Sequence, residues 1–144
     1  MSDNDTPTLE TIKELKHASI SLIKGEKSIL LVTAETRYIP INHFKNVFNE
    51  IGQLVEKYSV KKLIFDKRKL NVFHQPSMEW YFVEWKSQML DLGLTRHVKI
   101  LPIDEVFRQS VKIGRRKIDE SFPNGRFHQL EILYAESLEE AILL

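Results

Sequence analysis

The spacing of apolar positions changes several times along the chain. From 17 to 24 it reads HASISLIK, where Ala18, Ile20 and Leu22 alternate with Ser19 and Ser21. A period of two predicts a half-buried strand. Gly25-Glu26 marks a turn, and SILLVTAE, 28–35, is continuously apolar at its centre, as in a strand covered on both faces. The short connection predicts an antiparallel hairpin. After Pro40 the period lengthens. Phe44, Val47, Phe48, Ile51, Leu54, Val55 and Tyr58 form one helical stripe, with Asn42 as the expected N-cap.

A third strand is expected over 60–66. A second helix, about 77–92, carries Met78, Tyr81, Phe82, Trp85, Met89 and Leu92 on its stripe and should stop at Gly93. HVKIL, 97–101, reads as a fourth strand. A third helix is expected over 104–120, with Asp104 and Glu105 in its first turn, where the helix dipole favours them. FPNG, 122–125, breaks the chain before a fifth strand at 128–134. Ser137-Leu138-Glu139-Glu140 is a capping box for a last helix over 138–144. The order ββαβαβαβα predicts an α/β fold with a mostly parallel five-stranded sheet and an antiparallel edge hairpin. One domain is expected over 9–144, after a loose N-terminus over 1–8.

Composition narrows the function classes. At 144 residues the chain is one domain by length and can bury a core without staples. Its formal net charge of +1 provides no global field toward nucleic acid or membranes. Cysteine is absent, which excludes disulfides, thiolate catalysis and Cys-ligated metals. MSDNDTPTLE lacks the regions of a secretory signal, and no run approaches the ~20 apolar residues of a membrane span. These features predict a soluble cytoplasmic protein with no membrane insertion. The histidines at 17, 43, 74, 97 and 128 show no HxH or HExxH spacing, so no metal is expected. No GxGxxG, Walker or GxSxG motif is present, and no cofactor is expected.

Ligands of open α/β sheets sit beyond the carboxyl ends of the parallel strands. That edge gathers Asp66, Lys67, Arg68 and His74, together with Thr33, Glu35, Arg37 and Asp104. One or two carboxylates among several cations suit a small anionic or zwitterionic ligand. The same residues would also serve as the solvated rim of a strand end. Asp66 with His74 could act as an acid–base pair in an enzyme, although no nucleophile or oxyanion donor accompanies them. RQSVKIGRRK, 108–117, places Arg108, Lys112, Arg115 and Arg116 on one stripe of the third helix, where they could contact anions. Cations near a helix C-terminus also complement its dipole, so nucleic-acid binding is the weaker reading of that stripe. Trp80 falls off the core stripe, on the face of Glu84, Ser87 and Asp91. A large aromatic there is either a recognition anchor or a residue covered by the third helix or the 67–75 loop.

The element order, the element lengths, and a third strand ending in IFD before a loop and an amphipathic helix resemble the STAS domains. The chain looks most like the stand-alone bacterial branch similar to anti-sigma-factor antagonists, over roughly 16–144. The resemblance implies a regulatory or binding module rather than an enzyme. Its partner would be a protein or a small anionic ligand, and a homodimer is compatible with it. In that family an Asp, one intervening residue and a phosphorylated Ser end the third strand. Asp66 matches the Asp, but Arg68 stands at the Ser position, and a guanidinium cannot take that phosphoryl group. The next hydroxyl is Ser77, expected as the N-cap of the second helix or as a displaced phosphosite.

Overall fold

Alternation in 18–23 builds the first part of a mixed sheet. In the computed structural model, which describes residues 8–23 and 25–144, β2 (Ala18–Ile23) pairs antiparallel with β3 (Glu26–Ala34). Gly25 turns the hairpin at φ 84°, in the left-handed region that glycine enters without a Cβ clash. A further strand, β1 (Leu9–Glu14), pairs antiparallel with the outer side of β2, so the sheet has six strands where the sequence predicted five. LETIKE carries apolar residues only at Leu9 and Ile12, is nearly all exposed and shifts register between Thr11 and Lys13. An exposed edge strand with a bulge leaves no period of two to read. Residues 1–7, expected to be loose, lie outside the described residues.

β3, β4 (Lys62–Asp66), β5 (Arg96–Ile100) and β6 (Glu131–Ala135) are parallel neighbours in sequence order. When consecutive parallel strands lie side by side, crossovers of one hand deliver every connecting helix to the same face. The larger core therefore joins Leu30, Val32, Leu63 and Phe65 of the strands to Phe48, Trp85 and Val111 of the crossover helices. The opposite face, with Leu31, Ile64, Val98 and Ile100, is covered by the C-terminal helix through Ala141, Leu138 and Ile142.

α1 (Ile41–Tyr58) buries the predicted stripe, but Pro40 is its N-cap, because the Pro40 carbonyl already accepts the Phe44 N–H at 2.8 Å. Asn42 lies inside the first turn. The second crossover is one rod in three segments: α2 (Gln75–Trp80), a π-helical stretch (Tyr81–Lys86) and α3 (Ser87–Asp91). The rod closes with Gly93 at φ 94°; Leu94 N–H bonds to Met89 O and Gly93 N–H to Leu90 O, a Schellman ending. α4 (Glu105–Ser121) is capped by Asp104, whose carboxylate accepts from Val106 N at 2.8 Å. A short 3-10 turn (Arg126–Gln129) buries Phe127 where strand was expected from 128, so β6 starts at Glu131. In α5 (Leu138–Leu143) Ser137 caps the Glu140 N–H, while the Glu140 carboxylate bonds to the Glu136 N–H. Among the described residues no helix is long and apolar enough to cross a membrane.

Candidate functional site

The charged end of β4 divides between the two faces of the sheet. Side chains alternate along a strand. Asp66, level with Ile100 in the register, lies on the α5 face, and Lys67 follows Phe65 on the crossover-helix face. Asp66 is bonded to Arg68 through Nε to Oδ1 at 3.0 Å, Nη2 to Oδ2 at 2.7 Å and the backbone N–H to Oδ1 at 3.0 Å. Glu139 of α5 adds a favourable field at Arg68. This carboxylate is fully engaged by its neighbour two residues on.

Lys67 opens into a cleft of about 490 Å³, including its open mouth, at the carboxyl edge of the sheet. Its walls are aromatic: Phe44 of α1, Phe65 of β4, Phe73 of the loop, Tyr81 of the π stretch and Phe107 of α4. Tyr38 and Val72 stand at the rim, and both are exposed. Lys67 Nζ lies 5.0 Å from the centre of the Phe65 ring. No hydrogen bond or ion pair reaches that ammonium among the described residues. Burial lowers its pKa from the ordinary lysine value to about 8. The cleft's other polar groups are His74 and Ser77, with His74 Nδ1 and Ser77 Oγ 2.8 Å apart. Ser77 is buried within the first turn of α2, and His74, not Ser77, is the N-cap residue. The sequence expectation that Ser77 caps this helix is thus corrected: Pro76 takes an early helical place and pushes the cap back to His74. A second, shallower groove of about 440 Å³ between α1 and α3 contains no buried charge.

Of the residues singled out in the sequence, the cleft gathers Lys67 and His74. Asp66 and Arg68 stay on the other face. Trp80 is half-buried against α1, 6.2 Å from the Phe44 ring centre, with Lys45 Nζ 5.7 Å above its indole. Asp104 is occupied as a cap, and Glu35 bonds to Lys69 at 2.6 Å. Arg37 supplies its backbone carbonyl to the loop, accepting Asn71 N–H at 2.9 Å. The basic stripe of α4 divides as well. Arg108 pairs with Glu136 at 3.1 Å and Arg115 with Asp119 at 3.2 Å, while Lys112 and Arg116 are exposed. His17 packs edge-on to His43, 4.7 Å between ring centres. Among the described residues no three histidines or carboxylates gather to hold a metal.

Sequence reading missed a buried polar group behind the cleft: Lys86 of the π stretch, with His97 and Lys99 of β5, none of which has exposed surface. A signal was present. His97 and Lys99 alternate with Val98 and Ile100, and the register sets them beside Leu63 and Phe65 on the face that the helices cover. In an inner strand, a polar alternation on the covered face means buried polar groups. Lys86 is brought inward by the π geometry. With more than four residues per turn, position i+5 comes to lie over i, which stacks Lys86 Nζ 4.5 Å from the Tyr81 ring centre. Comparison of the chain with family models, curated proteins and solved structures gives no match in any of the three.

Proposed function

We propose that the chain is a non-catalytic, STAS-like binding module whose cleft holds a small, flat, mainly apolar molecule with one anionic end. One observation carries the reading: the buried ammonium of Lys67 has no counter-charge among the described residues and faces an aromatic cleft. A buried cation is costly unless something pairs with it, and a bound carboxylate or phosphate would do so. The aromatic walls supply the apolar contact, and the His74–Ser77 pair gives a second polar contact for orientation. In the phospho-regulated relatives a serine answers the strand-end Asp; in this chain Arg68 closes on that Asp. Regulation by ligand rather than by phosphate at that position follows from this reading. The bacterial, cytoplasmic setting that the resemblance implies belongs to the same proposal.

An enzyme using Asp66 and His74 has less support, since the Asp66 carboxylate bonds to Arg68 and the His74 ring to Ser77. A protein partner at the same edge is favoured by Ile103 and Val106, 91% and 74% exposed where α4 begins. Native mass spectrometry of the protein taken from its own host separates these readings. Retained mass of a few hundred daltons, lost in Lys67→Met, supports the ligand; a stoichiometric protein adduct supports the partner.

A further inference from the structure

Tyr81 belongs to the cleft and also to the polar group behind it. Its hydroxyl lies 2.5 Å from His97 Nε2, and His97 Nδ1 lies 3.1 Å from the Leu63 carbonyl. A carbonyl can only accept, so Nδ1 carries the proton and Nε2 accepts from the tyrosine. His97 is thereby neutral, with both nitrogens engaged. Three cations converge on the neighbouring Phe82 ring. Lys86 Nζ, Lys99 Nζ and Arg115 Cζ lie 3.3, 4.5 and 5.0 Å from its centre. Apart from each other, neither lysine Nζ has a hydrogen-bond partner among the described residues, and both side chains are wholly buried.

Charge around the group is one-sided. Lys99, Lys67 and Arg115 act on Lys86 as like charges, and Lys67 and Arg115 act so on Lys99. Asp119 is the carboxylate that bonds to Arg115, and Tyr134 of β6 meets Arg115 through its hydroxyl. Loss of protons would remove the charge of the two amines but not their need for acceptors. Each neutral amine keeps two N–H donors, and one amine accepting from the other leaves three unanswered. Buried donors without acceptors bear the full desolvation cost. An oxyanion offers several acceptor lone pairs and the missing negative charge together.

We propose that Lys86, Lys99 and Arg115 form an internal oxyanion site behind the floor of the cleft, suited to a phosphate or sulfate group. The group arrives either as a free inorganic anion or as the head of a molecule whose body lies in the cleft, since Tyr81 borders both. Burial first, and then the neighbouring cations, hold both amines well below the usual lysine range when no anion is bound. An anion reverses that, so binding near neutral pH takes up protons.

Calorimetry with inorganic phosphate and with 2-naphthyl phosphate tests the site, at fixed ionic strength and in two buffers of different ionisation enthalpy. The intact chain is expected to bind phosphate with proton uptake. Lys99→Met, or Lys86→Met if the first does not fold, should weaken it about tenfold or more, the worth of one charge-assisted hydrogen bond. Where Lys99→Met or Lys86→Met weakens both compounds, tighter binding of the naphthyl ester than of the free anion assigns the site to a ligand head, and equal binding assigns it to the free anion. Phosphate affinity unchanged in both variants, or no binding by the intact chain, overturns it. Binding of 2-naphthoate to the cleft, lost in Lys67→Met, is a separate readout, so failure of one site is distinguishable from failure of the other.

Discussion

Arg68 folds back on Asp66, joining both carboxylate oxygens through Nε and Nη2 while its own N–H bonds to Oδ1. The pair closes the strand end that the sequence motif singles out. Arg68 is about half exposed and Asp66 nearly covered, so the solvent side of the pair is screened. Arg68→Ala should destabilise by about 1 kcal/mol, because the remaining backbone bond still serves Asp66. Denaturant melts check this. A loss near 4 kcal/mol would mean that Asp66 had been left as an uncompensated buried charge.

Lys67 makes stability depend on pH in a defined direction. Its pKa is about 8 in the folded chain against 10.5 for an ordinary lysine. Between those values the unfolded chain binds the extra proton, so stability rises with pH across pH 8 to 10.5. The whole shift corresponds to roughly 3 kcal/mol. Lys86 and Lys99, also lowered by burial, add their own rise up to 10.5 and carry it to lower pH, while His97, lowered from 6.5, acts only below that value. Tyr81, raised by burial, opposes the rise only above its ordinary value of 10. Lys67→Met should raise stability at pH 7 and make the pH 8 to 10.5 limb less steep, the remaining slope coming from Lys86 and Lys99. Melts of both chains at several pH values check it, and parallel curves would contradict it.

Trp80 is half-buried against Phe44 and beneath Lys45. Truncating a fully packed Trp costs ~3–5 kcal/mol, and a surface change stays within about 0.5 kcal/mol. Trp80→Ala should therefore cost about 2 kcal/mol in denaturant melts. The loss comes from packing on α1, so affinity at the cleft should fall little.

Gly114 lies where α4 crosses the entrance to α2. A Cβ there would meet the Gln75 amide oxygen, and would come within 2.6 Å of Phe73 Cζ and 3.2 Å of Met78 Sδ. Alanine favours the helix by ~1 kcal/mol over glycine, while overpacking costs typically ~1–3 kcal/mol. Gly114→Ala should destabilise by about 1 kcal/mol and weaken binding, because Phe73 is both the displaced ring and a cleft wall. Thermal melts and a naphthoate titration together check the two effects.

Most of the framework was legible because its signals are local. The stripe from Phe44 to Val55 and the Gly93 stop each depend on residues within a few turns. β1 was not legible, because Leu9 and Ile12 show no alternation and the strand is ordered by distant partners, the pairing with β2 and the Lys13–Glu50 ion pair to α1. The site was half legible. Its place at the carboxyl edge follows from topology, and Lys67 and His74 were among the residues expected there. Grouping Asp66 and Arg68 with them ignored the period of two, which sends neighbours at a strand end to opposite faces. The lysines behind Tyr81 needed the tertiary arrangement. Lys86 comes inward through a π stretch that no local pattern announces, and Lys99 is buried because β5 lies inside the sheet under the crossover helices.

The most direct test of the central claim is a titration of the intact chain and of Lys67→Met with 2-naphthoate and with uncharged 2-naphthalenemethanol. The aromatic walls should accept both compounds, and the ammonium should favour the carboxylate by about tenfold or more. Lys67→Met should erase that preference while still binding the alcohol. Equal affinities for the two compounds in the intact chain, or a carboxylate preference that survives in Lys67→Met, would contradict the assignment of Lys67 as the anchor of an anionic ligand.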